Sequence, residues 1–243
     1  MSRLLRLRWI VATALLVGVL AAMAGTAPAA PDSDSGLVPA SGRLAGLTGG
    51  QLLGREIRHL FKLPPAKNPL AGHGRSCFPV GHNDRVLILW TRPPDQSPAR
   101  CAVKPGTPVF LFGFFIECSN VEAPPFFGAT AADQRTCAIS GLEKLSRTQV
   151  HIQAIRVCID GAPATDIMQD RFRAVSPQMR VNLPKDNILG VSARTATFVA
   201  AAWVAMIRPL APGMHTIRVA VVVTNGPPTV TSAVVNVVPG HNG

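Results

Sequence analysis

Glu117 and Glu122 follow one another closely at the end of the most apolar stretch of the chain, either side of Cys118 and Asn120. Two carboxylates near a strand end can serve as general acid and base if they are held at the right separation. The competing reading is structural, with one of them paired to a buried arginine or capping an amide. His215 follows the turn sequence Ala211-Pro212-Gly213 and opens an apolar alternation. It is an acid–base candidate, or else a corner residue that bonds a turn carbonyl. Asp160-Gly161 reads as turn chemistry. His73, Cys77 and His82 lie close together with Asp84 adjacent. Imidazole, thiolate and carboxylate are all metal ligands, but a cysteine in an oxidising compartment is expected to be bridged, so no metal site is assigned. The chain has no G-x-S-x-G elbow, no H-E-x-x-H, no phosphate-binding loop and no dinucleotide fingerprint. No cofactor is implied.

The oxidising compartment is read from the N-terminus. Residues 1–8 carry three arginines and no acid, and Trp9 to Ala24 is an uncharged apolar run that leads to Ala27-Pro28-Ala29-Ala30. These are the n-region, h-region and small-residue site of a secretory signal peptide, with cleavage expected after Ala29 or Ala30. The run is short for a bilayer span. With Arg3, Arg6 and Arg8 removed, 24 basic residues become 21 against 13 acidic ones, a formal charge of +8. Such a chain favours acidic partners: an anionic surface, teichoic or another acidic envelope polymer, or nucleic acid. The basic residues are dispersed and tyrosine is absent, so the stacking platforms of a nucleic-acid binder are not expected.

Five cysteines stand at 77, 101, 118, 137 and 158. One must stay unpaired or pair between chains. No C-x-x-C is present, which removes the redox and zinc-ribbon readings. Local pairing is expected, Cys77 with Cys101 and Cys118 with Cys137. Each bridge closes a loop worth roughly 3 kcal/mol in the chain-entropy model. Cys158, within VHIQAIRVCI, is expected as a buried free thiol ending a strand.

The elements that must position these groups are mostly strands. Residues 30–47 read as a polar, flexible linker. Thr48 caps a helix with Leu52, Leu53, Ile57, Leu60 and Phe61 on one face, stopped by Pro64-Pro65. Residues 66–84 read as loop. Strands follow at 85–91, 107–117, 148–159, 171–175, 178–183, 195–201, 203–210, 215–223 and 229–238, with a hairpin through Asn225-Gly226-Pro227-Pro228. A second helix is expected over 130–145, interrupted near Ser140-Gly141. Many short strands at this spacing predict a mainly β chain. The expectation is one β-sandwich over 48–239, jelly-roll-like or Ig-like, with one or two short helices, after a signal peptide (1–29) and linker (30–47).

Two stretches carry a resemblance. One runs from Asn68-Pro69 through Cys77, RVLILW, Arg100-Cys101 and Lys104-Pro105-Gly106 to FLFGFFIECS. The other runs from Ile159-Asp160-Gly161 through RVNLPKDNILG to WVAMIRPLAPGMHTIRV. Together they resemble a family of exported bacterial proteins of unknown function with β-sandwich-like domains. The resemblance implies export and a sandwich fold and supplies no activity.

The functional expectation is an exported, non-catalytic binding or envelope-associated module. The alternative is a hydrolase acting on an envelope polymer, using Glu117 or Glu122 with His215.

Overall fold

The run TATFVAAAWVAMI forms a single strand, β12 (Thr195–Ile207), in which every residue from Phe198 to Ile207 is buried. It does not alternate, because a strand covered on both faces reads as a continuous apolar run. A computed structural model describes residues 36–80, 85–92 and 96–238. The signal-peptide expectation, His82 and Asp84 lie outside the described residues.

β12 is the centre of a seven-stranded sheet. One edge pairs antiparallel with β7 (Val109–Ser119). The other edge receives three short strands in turn: β1 (Leu37–Val38), β10 (Arg173–Val175) and β11 (Met179–Asn182). Pro177 separates the last two, since it has no N–H to donate. Ser176 bridges the interruption, its hydroxyl accepting from Ala200 N at 2.9 Å. Beyond β7 come β5 (Val86–Leu89), parallel to it, and β4 (Cys77–Val80) at the edge. The second sheet has the order β6 (Ala99–Val103), β14 (Thr229–Val237), β13 (Gly213–Val223), β8 (Ile152–Ile159) and β9 (Thr165–Asp166). β13 and β14 form the expected hairpin, and β6 joins β14 in parallel. Two very short strands, β2 (Arg43–Leu44) and β3 (Leu47–Thr48), pair with each other ahead of the first helix.

The two sheets share one core. Leu111 and Trp203 of the first sheet cluster with Ile155, Val157, Ile217, Val219 and Val235 of the second. On the opposite face of the first sheet lies helix α1 (Gly49–Phe61), whose Leu52, Leu53, Ile57, Leu60 and Phe61 pack on Phe110, Phe198, Ala202 and Met206. Each such side chain contributes about 1.5–3 kcal/mol when fully buried. Thr48 closes α1 with a capping box shared with Gln51. Gly50 allows the helix to approach the sheet closely, since a Cβ there would meet Val175 O at 2.2 Å. Helix α2 (Ala131–Lys144) packs beside the shared core through Ala138 and Leu142. The fold is therefore mainly β, with two α-helices among the described residues.

Several boundaries differ from the sequence reading. Gly36–Leu47, read as flexible linker, is held in the fold: Leu37, Ala40 and Leu44 are buried, and Ala40 N donates to Arg171 O at 2.7 Å. The segment read as loop over 66–84 contains β4, and β6 has no counterpart in the sequence reading. Both are edge strands; β4 pairs with the neighbouring β5, whereas β6 gains its pairing from β14, far along the chain. The strands expected at 195–201 and 203–210 are one strand, because no turn residue separates them. α2 is not interrupted at Ser140-Gly141. Gly141 instead lets Ile116 pack close, since a Cβ there would stand 3.0 Å from Ile116 Cγ2.

Candidate functional site

The cysteines pair locally. Cys77 of β4 is bridged to Cys101 of β6, with Cα atoms 5.9 Å apart. These strands are the outer edges of the two sheets, so the bridge staples one open side of the sandwich. Cys118 of β7 is bridged to Cys137 of α2, with Cα atoms 6.0 Å apart. Cys158 is the free thiol. It is half-buried rather than in the core, and its Sγ lies 3.1 Å from Ala162 O. It is the last residue but one of β8, in register with Arg218 of β13 and next to the core-facing Val157.

Glu117 and Glu122 come together. Glu117 pairs in register with Ala200, which places it on the α1 side of the sheet. Burial raises its pKa well above the usual carboxylate range, and the Glu122 carboxyl beside it raises it further. Burial also raises Glu122, opposed by the Ser119 hydroxyl, which donates to Glu122 Oε2 at 2.8 Å. Glu117 Oε2 is buried with no N–H or hydroxyl to bond. A proton shared between the two carboxyls supplies the missing donor. The two carboxyls of a glycosidase stand about 5 Å or more apart, with the scissile bond between them. A pair in direct contact does not have that spacing.

His215 is placed elsewhere, on β13 of the second sheet. Its Nδ1 lies 2.6 Å from Asp160 Oδ2 and its Nε2 lies 2.7 Å from Ala211 O. Asp160 also accepts from Thr216 N at 2.7 Å. A carbonyl can only accept, so Nε2 carries a proton, and the carboxylate favours a second on Nδ1. The Asp160 bond accordingly raises the His215 pKa, against a smaller opposing effect of burial. With both ring nitrogens engaged, His215 pins the corner between β8 and β13 and presents no free nitrogen to a substrate. The carboxyl pair and the histidine thus stand on different sheets and do not converge.

Of the metal-ligand candidates, Cys77 is consumed in its disulfide. Among the described residues no group of three or more His, Cys, Asp or Glu side chains could hold a metal.

The feature the sequence reading missed is a basic tract along the β4 edge. A cleft of about 620 Å³ lies on one side of the Cys77–Cys101 bridge, lined by Arg85 and Lys104 with Pro79 and Gly106. A second, of about 430 Å³, also touches Cys77 and is lined by Arg75, Arg92 and Arg100. A third, of about 200 Å³, lies where α1 meets β4 and carries Arg55, Arg58, His59 and Lys62. Among the described residues no carboxylate lines any of the three; Asp84 and Asp95 fall outside that set. Arg92 is oriented by its Nε bond to Ser76 Oγ at 2.8 Å. Burial and the nearby Lys62 charge together lower the His59 pKa, and the ring stacks on Phe78 at 4.1 Å. These cations come from α1 and its C-terminal end, the segment before β4, the two flanks of β5, β6 and the loop after it. Residues dispersed in the sequence are thus brought to the clefts that border β4.

Comparison with protein-family models, with curated proteins and with solved structures finds no match. Among the described residues no helix is long and apolar enough to cross a membrane.

Proposed function

We propose that this chain is an exported, non-catalytic binding module that holds an acidic polymer of the cell envelope along its β4 edge. The observation that carries the reading is the set of three basic clefts that each touch β4 residues or their neighbours, two of them at Cys77, with eight Lys and Arg side chains in their linings. A polyanion neutralises several such cations at once and releases its own counterions, so dispersed contacts add to a useful affinity. The disulfide ties β4 to β6 where the two clefts meet at Cys77. Two disulfides fit an oxidising, exported setting. The hydrolase alternative needs Glu117 or Glu122 together with His215, and these stand on different sheets, with both ring nitrogens of the histidine engaged. The test is binding of the purified chain to inorganic polyphosphate, with neutral dextran as the control. Binding to polyphosphate alone is expected. Equal binding to dextran, or none to either, overturns the proposal.

A further inference from the structure

A fourth cavity, separate from the basic tract, lies where β5 parts from β7. The ladder between these strands ends at Ile88↔Phe110. After Trp90 the chain leaves the first sheet, and Arg92 bridges to Ser232 of the second. On the other side β7 carries an extra residue, Gly113, opposite the step from Trp203 to Val204 in β12. Such bulges bend a strand and open its pairing. The resulting space is about 190 Å³ and touches α1 and both sheets.

Its lining is apolar except at two points. Leu89, Phe112, Val219 and Val221 form the walls, and the Thr91 and Thr231 hydroxyls satisfy each other at 2.6 Å. Glu56 of α1 reaches in with only 1% of the residue exposed, and its Oε2 has no partner. Burial raises the Glu56 pKa well above the usual carboxylate range, and the Trp90 Nε1–H, itself buried and facing that carboxyl, opposes the rise, although its geometry falls short of a well-aligned hydrogen bond. The Trp90 ring is held edge-on against Phe112, with centroids 5.0 Å apart. A buried donor and a buried acceptor that face each other without good alignment are a costly arrangement.

We propose that this cavity binds a small neutral molecule with one apolar ring and one hydroxyl, a ligand of the phenol class. A single hydroxyl satisfies both open groups, accepting from Trp90 Nε1–H and donating to Glu56 Oε2. The size fits, since an apolar cavity of about 150 Å³ takes up benzene. An organic cation is disfavoured. It would require an ionised Glu56 in a dry site, and Arg55 and Arg58 flank that residue on α1. An aliphatic hydrocarbon fills the walls but leaves both polar groups open. The site uses none of the basic residues assigned to the polymer, so either reading can fail without the other.

The test is a titration of the ¹⁵N-labelled chain with phenol and, in parallel, toluene, following the indole N–H resonances. Trp90 lines the cavity, whereas Trp203 is 1% exposed in the core. A saturable shift of Trp90 alone is expected, with toluene at least tenfold weaker because it leaves both groups unpaired. Glu56→Leu should keep the fold, since it places an apolar side chain on the apolar face of α1, and should erase the preference for phenol. Trp90→Phe, followed through the ligand's own resonances, should do the same. A Trp90 resonance unmoved by either compound overturns the proposal and leaves the space to water. Equal affinity for phenol and toluene in the unaltered chain overturns it as well.

Discussion

Replacing Glu117 by glutamine should stabilise the protein at neutral and alkaline pH while leaving it little changed in mild acid. Burial and the Glu122 carboxyl raise the Glu117 pKa in the folded state. The folded chain therefore holds a proton that the unfolded chain has released above about pH 4.3. Its contribution to stability is complete below that pH. It is lost as pH rises toward the folded pKa, at up to about 1.4 kcal/mol for each pH unit. The glutamine amide would donate to Glu122 at every pH, so this part of the slope disappears. The gain at pH 8 should be on the order of 1–3 kcal/mol, the usual cost of an unsatisfied buried polar group. Urea unfolding at pH 5, 6, 7 and 8 measures it as the difference in midpoint at constant m. Taking the difference between variant and parent cancels the His215 and His59 contributions, which have opposite signs. Parallel pH profiles for the two proteins would refute the shared proton.

Further outcomes are expected. Asp160→Asn should bring the His215 titration midpoint, read by NMR, down toward its ordinary value, because the Asp160 bond raises it in the parent. The stability lost should be largest below pH 6.5 and vanish as pH rises through the folded His215 pKa, at about 1 kcal/mol given that Asp160 is partly exposed. Gly113→Ala should cost about 1–3 kcal/mol by overpacking, since its Cβ would stand 2.3 Å from Ile155 Cγ2; Ile155→Ala in the same chain should recover part of that, as a double-mutant cycle will show. Intact mass of exported material should place the first residue near Ala30 or Pro31, whereas full-length chain in the membrane fraction would argue for an uncleaved anchor.

Much of the fold is legible in the sequence because its signals are local. The Thr48 cap, the stop at Pro64-Pro65 and the turn at Asn225–Pro228 each depend on a few neighbouring residues. The disulfide pairs are close in sequence, and strand returns bring them within reach. β6 escapes notice because its partner β14 lies far along the chain, and β4 because its four residues, one of them Pro79, carry little strand pattern of their own. The candidate site is harder still. Glu117 and Glu122 attract attention as chemistry, but their contact and burial arise from β7's register with β12, which no local pattern states. The basic tract is assembled from five separate segments, so a search for a charge block cannot find it. Glu56 did leave a signal. It occupies the position between Leu53 and Leu60 on the apolar stripe of α1, where an acid is out of place.

The basic edge is most directly tested by the salt dependence of polyphosphate binding in the parent chain and in a triple variant, Arg85→Ala, Arg100→Ala and Lys104→Ala. These side chains are exposed, so their loss should change stability by no more than about 0.5 kcal/mol. Each phosphate contact contributes about 0.7 to the slope of log affinity against log salt on a flexible polyanion. Removing three should flatten that slope by about 2 and weaken binding at low salt about a hundredfold or more. A triple variant that binds with the parent's affinity and slope would contradict the account.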